Sequence, residues 1–212
     1  MDHLEAAKTN LIRSLNLEIT DKRVVKAIKH VPREVFVPQE YCCAAYEDRP
    51  LSIGFGQTIS QPFIVALMVQ ALKLKGNEKV LELGTGSGYE AAILAELTEQ
   101  VITVERVPEL AASARQVLQK LGYFNIQVHV TRNDLGWLEN APYGAIIVSA
   151  GAPSIPDILL GQLAWGGRLI IPTGSRWQQE LTKVTKLKKG NKVENLGACY
   201  FVPLIGEGAW EK

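Results

Sequence analysis

The stretch 80–89, Val-Leu-Glu-Leu-Gly-Thr-Gly-Ser-Gly-Tyr, restricts this chain more than any other. The apolar run 79–83 reads as a buried strand. Gly84, Gly86 and Gly88 then make a turn, and 89–97 carries apolar residues at helical spacing. A strand that passes through alternate glycines into a helix suits a nucleotide-type ligand, because glycine accepts positive φ and lets a ligand approach where a Cβ would collide. Ser87 is placed to cap the helix, and Glu90, three residues on, to complete a capping box.

The spacing narrows the ligand. A dinucleotide loop, G-x-G-x-x-G, needs glycine where Tyr89 stands. Instead Glu82 lies two residues before the first glycine, and a carboxylate there suits a cationic ligand while repelling a pyrophosphate. The acidic-x-G-x-G-x-G pattern, with Thr85 and Ser87 between its glycines, resembles motif I of the S-adenosylmethionine-dependent methyltransferases. In that class the acidic residue lies near the amino-acid end of the cofactor. Glu105, about 20 residues beyond the loop at the end of a second strand, stands where an α/β fold can hydrogen-bond a ribose diol.

The remaining pattern predicts the frame around this loop. Residues 4–15 and 21–30 read as amphipathic helices, the second capped by Thr20 or Asp21. Pro32 and Pro38 predict an extended segment over 31–38. Ser60 is placed to cap a helix over 63–72, with Pro62 in its first turn. Strands at 79–83, 101–105, 126–130, 145–149 and 167–172, with a helix opening at Pro108, recur every 20 to 25 residues. Such spacing predicts an α/β, doubly wound, mostly parallel sheet. Strands at 180–188 and 198–205, joined through Gly190-Asn191, predict a C-terminal antiparallel hairpin. Lysines 183, 186, 188, 189 and 192 read as solvent-facing charges guarding an edge strand.

Several classes drop out. With 23 basic and 22 acidic residues the formal net charge is +1, so no global field draws nucleic acid or an anionic membrane. The longest apolar run, 63–69, is too short to span a bilayer, and 1–20 lacks the pattern of a secretory signal. A cytoplasmic protein is expected. Cys42, Cys43 and Cys199 form no disulfide or zinc pattern, and His3, His30 and His129 lack ligand spacing, so no metal is expected. Thr85 stands where a G-x-S-x-G elbow needs glycine, and no Walker A loop occurs.

Beyond the glycine loop, the chain resembles the protein-L-isoaspartate O-methyltransferase family over nearly its whole length. The resemblance runs through Val31-Pro32-Arg33, 45–51, Gly56-Gln57-Thr58-Ile59-Ser60-Gln61-Pro62, 83–89, 103–106, 141–143, 166–169 and 201–204. Segment 57–62 is the most diagnostic part, since general methyltransferases share the glycine loop without it. The resemblance implies one Rossmann-like methyltransferase domain over 1–212: a helical, substrate-side region at 1–75, a cofactor core at 76–175 and C-terminal strands at 176–212. It implies methylation of the free α-carboxylate of L-isoaspartyl residues in damaged peptides, with repair through a succinimide, by a monomer needing no nucleic acid or membrane. It also implies that the serine matching Ser60 is functional, with Thr58 a second hydroxyl donor to the substrate carboxylate. Glu82, Gly84, Thr85, Gly86, Ser87, Gly88 and Glu105, with Arg132 and Asn133 on the adenine side, are expected to bind S-adenosyl-L-methionine.

Two departures stand out. Where the family has Gly-Asp-Gly after the third strand, its aspartate accepting from the adenine amine, this chain has Thr131-Arg132-Asn133. Arg132 cannot accept that bond. Either Asn133 or Asp134 supplies the acceptor, or the chain is a weakened or non-catalytic paralogue; a methyltransferase for another carboxylate or hydroxyl is a further alternative. Gly144 replaces the aspartate usual after Pro-Tyr.

Overall fold

Apolar segments 20 to 25 residues apart become neighbours in one sheet. The computed structural model describes residues 3–132 and 134–211. Helices α1 (His3–Glu18) and α2 (Lys22–His30) come first, and Asp21 caps α2 by accepting from the Arg23 N–H at 3.0 Å. A short antiparallel pair, β1 (Leu51–Gly54) and β2 (Gln57–Ile59), precedes α3 (Pro62–Ala71). There follow β3 (Lys79–Leu83), α4 (Tyr89–Ala95), β4 (Gln100–Glu105), α5 (Pro108–Lys120), β5 (Ile126–Val130), β6 (Tyr143–Val148) and α6 (Asp157–Gln162). The chain closes with β7 (Leu163–Gly174), β8 (Gln179–Lys186) and β9 (Asn191–Cys199).

The large sheet has seven strands in the order β5-β4-β3-β6-β7-β8-β9. Strands β5 to β7 are parallel, and β8 and β9 are antiparallel additions at one side. The central strands read as apolar runs because helices cover both faces, and Val80, Leu81, Ile102 and Ile146 are fully buried. From β3 the chain winds outward through β4 and β5, then crosses back to place β6 on the other side of β3. The carboxyl ends of β3 and β6 therefore diverge into a crevice, the position where open α/β sheets bind ligands.

Four expectations need correction. Segment 31–38 is not extended throughout: Val31 and Val37, each before a proline, are, but Arg33–Phe36 forms a 3-10 turn between them, because proline restricts only the residue it follows. The hairpin's second strand is Asn191–Cys199, not 198–205. Strand β7 extends beyond 167–172 at both ends. Lys183 and Lys186 do not guard an edge, since β8 is paired on both sides; burial lowers the pKa of Lys183, and Lys186 Nζ donates to Leu160 and Leu163 carbonyls at 2.6 and 2.7 Å.

Beside Gly144, the position of the expected aspartate is filled from elsewhere. A Cβ at 144 would lie 2.9 Å from Glu78 Cγ, and Glu78 pairs at 3.1 Å with Arg168, which also donates to the Gly144 carbonyl. Among the described residues no helix is long and apolar enough to cross a membrane, and no group of three or more His, Cys, Asp or Glu could hold a metal ion.

Candidate functional site

A cavity of about 490 Å³ opens at the crevice. Its floor is the glycine loop. The Gly84 and Thr85 amides donate to the Val104 carbonyl at 2.9 and 3.3 Å, and the Gly88 amide to the Thr85 carbonyl at 2.8 Å, so the loop folds back over β4. Gly86 requires its glycine on two counts: φ is +52°, and a Cβ would sit 3.3 Å from Ile53 Cδ1. Glu105 holds the loop from the next strand. One carboxylate oxygen accepts from the Gly86 amide at 2.8 Å, and the other from the Arg106 and Val107 amides at 2.8 and 2.9 Å. It thereby ties the loop to the start of α5.

The capping box does not form. Gly88, left-handed at φ +90°, takes the cap position, and Ser87 Oγ accepts from the Tyr89 amide at only 3.4 Å. Glu90 falls on the face of α4 that packs against the sheet, so its side chain turns inward, where the Ser149 hydroxyl at the end of β6 donates to Oε2. Glu90 lines the cavity, and Glu82 lies buried behind it at 0% exposure. Among the described residues neither Glu82 oxygen nor Glu90 Oε1 has a hydrogen-bond partner, the Thr103 hydroxyl being engaged with Thr85 at 2.6 Å. Burial pushes Glu90 up to about 7 and Glu82 well above the carboxylate range, with repulsion from Glu90 and Glu105 adding to the latter.

Thr58 and Ser60 form the opposite wall. Ser60 does not cap α3. Asp48, from the segment before β1, reaches that helix end, its two oxygens accepting from the Phe63 amide at 2.8 Å and Gln61 Nε2 at 3.0 Å. This leaves the Ser60 hydroxyl available to the cavity. Arg33 fixes the wall from behind. Fully buried, it donates from Nε to the Ala45 carbonyl and from Nη2 to the Ser60 carbonyl, both at 2.8 Å, and lies 4.8 Å from the ring centre of Tyr89 at the start of α4. One side chain thus joins the hydroxyl wall to the helix that follows the glycine loop.

Two further walls are anchored by buried glutamines. Gln162 on α6 accepts from the Trp137 amide and donates to the Leu135 carbonyl, both at 2.9 Å, holding the loop that contributes Arg132 and Asp134. Gln179 on β8 accepts from the Phe201 amide at 2.8 Å and donates to its carbonyl at 3.1 Å, holding residues 198–205 along the cavity. Gln179→Leu is expected to cost about 1 to 2 kcal/mol. The Phe201 amide should also exchange at least about tenfold faster with solvent deuterium; unchanged protection would show that other contacts hold this wall.

Of the residues expected from sequence, Thr58, Ser60, Gly84, Thr85, Gly86, Ser87, Glu105 and Arg132 line the cavity. Glu82 and Gly88 do not: Glu82 lies behind Glu90, and Gly88 packs on Ala114 and Leu118 of α5. Asn133 lies outside the described residues. Asp134 lines the same wall as Arg132. Glu90 was legible only as a cap, and Arg33, Gln162 and Gln179 carried no local signal, since each acts on backbone distant in sequence.

A profile of the protein-L-isoaspartate(D-aspartate) O-methyltransferase family matches residues 6–209. The chain is 55% identical over 193 residues to protein-L-isoaspartate O-methyltransferase 1 of Syntrophobacter fumaroxidans, covering 91% of this chain and 90% of the relative. It is 50% identical over 208 residues to the protein-L-isoaspartate O-methyltransferase of Dictyoglomus thermophilum, covering 98% and 94%. Among solved structures, a protein-L-isoaspartate O-methyltransferase superposes with a TM-score of 0.84 at 27% identity, over 95% of this chain and 67% of that one. A Plasmodium falciparum structure described as a complex with S-adenosyl-L-homocysteine superposes at 0.78 with 27% identity, over 91% and 95%.

Proposed function

The chain belongs to the protein-L-isoaspartate(D-aspartate) O-methyltransferase family, and on that premise we propose how its residues divide the work of methylating the free α-carboxylate of L-isoaspartyl residues with S-adenosylmethionine. The observation that carries the assignment is that the glycine loop, the carboxylates of Glu90 and Glu105 and the residues Thr58 and Ser60 all line one cavity. The residues present fit the cofactor. Three buried carboxylate oxygens lack partners beside the glycine loop, and among the described residues no side-chain cation pairs with them, so a ligand cation is the counterpart they lack. About 490 Å³ also lies in the range of small-molecule sites.

When bound, S-adenosylmethionine supplies a methyl group activated by a sulfonium charge and leaves as S-adenosylhomocysteine. Residues 84–87 cradle it, Glu105 faces its ribose, and Asp134 supplies a carboxylate acceptor on the wall where Arg132 can only donate. The substrate carboxylate is ionised at neutral pH, so no side chain has to remove a proton. What the protein contributes is position. Thr58 and Ser60 donate to the carboxylate and turn one oxygen toward the methyl, and the walls that Thr131, Arg132, Asp134, Leu135 and residues 198–205 contribute exclude water, so that opposite charges neutralise in a dry, aligned site. The same reading takes the enzyme to act as a monomer in the cytoplasm, on peptides rather than nucleic acid, in keeping with its formal net charge of +1.

Methyl transfer to an isoaspartyl peptide and to its aspartyl counterpart tests the assignment. Transfer should be confined to the isoaspartyl peptide, and transfer to both or to neither would overturn it. Ser60→Ala should lower kcat/KM for that peptide by roughly 10- to 100-fold, the worth of one hydrogen bond to a charged group.

A further inference from the structure

We propose that Glu90 and Glu82 form an acid pair that receives the cationic end of the cofactor in exchange for a proton. The inference rests on the cofactor assignment above and adds a residue and a proton to it. Glu90 lines the cavity and Glu82 does not, both are buried, and the two are close enough for the charge of Glu90 to act on Glu82. A carboxylate in such a place needs donors, and the supply is short. Among the described residues Glu90 has the Ser149 hydroxyl on one oxygen and nothing on the other, while neither oxygen of Glu82 is partnered.

The surrounding charges do not neutralise the pair. From β4, the Thr103 hydroxyl, which favours the ionised form of Glu82, is bonded to Thr85, and Glu105 adds repulsion. From β6 comes only Ser149. On α4, Tyr89 turns toward Arg33, whose guanidinium lies over the ring and is engaged with the Ala45 and Ser60 carbonyls. Two like charges in an apolar setting cannot both persist, so the ligand-free pair holds a proton that belongs to both carboxyls. Burial raises both groups.

A cation arriving at the Glu90 face reverses that balance. The ammonium of the cofactor's amino-acid end supplies the missing donors and the missing positive charge, the second carboxyl ionises, and its proton leaves to solvent. Binding then becomes tighter as pH rises toward neutrality. Full release of one proton corresponds to about a tenfold gain in affinity per pH unit.

The test is calorimetric titration of the intact protein with S-adenosylhomocysteine between about pH 5.5 and 7, where the ligand's own amine stays protonated, in buffers of different ionisation enthalpy. The wild-type protein should release between about half and one proton per ligand. Glu90→Gln keeps an acceptor for Ser149, removes the repulsion that Glu90 exerts on Glu82, and should bind with a shallower pH dependence and release clearly fewer protons than the wild type. Binding of the wild type without proton release, or the same release from Glu90→Gln, would overturn the acid pair and leave the cofactor assignment standing. No binding at any pH would overturn both. Infrared difference spectra of the wild-type protein decide the matter without a variant: loss of a protonated-carboxyl band on ligand addition is expected, and its absence would refute the exchange.

Discussion

Arg33→Met is expected to cost on the order of 2 to 4 kcal/mol of stability and to lower kcat/KM for an isoaspartyl peptide by about 10-fold, no more than the loss of the Ser60 hydroxyl itself. The substitution strips a donor from each of two carbonyls, Ala45 and Ser60, and removes the cation over the Tyr89 ring. Each buried carbonyl left bare costs about 1 to 3 kcal/mol, and relief from burying a charge offsets part of that sum. The kinetic loss has a separate origin. Ser60 is held through its own carbonyl, and a hydroxyl displaced by about 1 Å no longer turns the acceptor oxygen toward the methyl group. Arg33→Lys should recover the charge but not the two-point fork, and so fall between the two proteins. Thermal denaturation and steady-state kinetics check both effects. A Met variant with kcat/KM within about threefold of wild type would show that Ser60 is positioned by something else.

Glu105→Ala should abolish measurable S-adenosylhomocysteine binding, with at least about a 100-fold loss of affinity by calorimetry. Two effects combine. The Gly86, Arg106 and Val107 amides lose their acceptor together, so the glycine loop is no longer tied to the start of α5, and the ribose-facing carboxylate disappears with it. Glu105→Gln separates these effects. An amide can accept on one side only, and its NH2 group then opposes at least one backbone donor, so the variant should bind more weakly than wild type and retain more stability than Glu105→Ala. Equal affinity in Glu105→Gln and wild type would mean that the charge on residue 105 is immaterial.

The frame of this fold was legible because its strands are apolar and its breaks are glycine and proline. Strand β5 occupies the predicted residues, β3 falls on 79–83 as predicted, and both N-terminal helices fall where their periodicity placed them. Errors arose where apolarity and strand formation part company. Residues 191–199 form β9 although they run Asn, Lys, Val, Glu, Asn, because an edge strand facing water needs no apolar stripe. Residues 201–205 are apolar because they wall a cavity. At the site, the residue types were legible and their partners were not. Ser60 and Glu90 both carry the local signature of a helix cap, yet Asp48, 15 residues away from the amide it accepts, took over the first role, and the inward face of α4 removed the second. Local pattern says what a side chain can do; only the tertiary fold says whether a competitor has already done it.

The place of β3 between β4 and β6 has a consequence during synthesis. On one side β3 pairs with a strand that begins at Gln100, and on the other with residues 145–148. A nascent chain that has reached residue 130 therefore owns a complete glycine loop and the Glu105 that ties it, but one long edge of β3 still has no native partner. Ser149, the hydroxyl that engages Glu90, directly follows the residues that close that edge, and residues 198–205, which wall the cavity, come later still. Closing so long a loop is slow compared with local helix formation, so for that interval the half-made sheet offers an apolar edge to any other chain nearby. Ligand binding thus belongs to the end of translation rather than its middle, and reports that the crossing from β5 to β6 has been made.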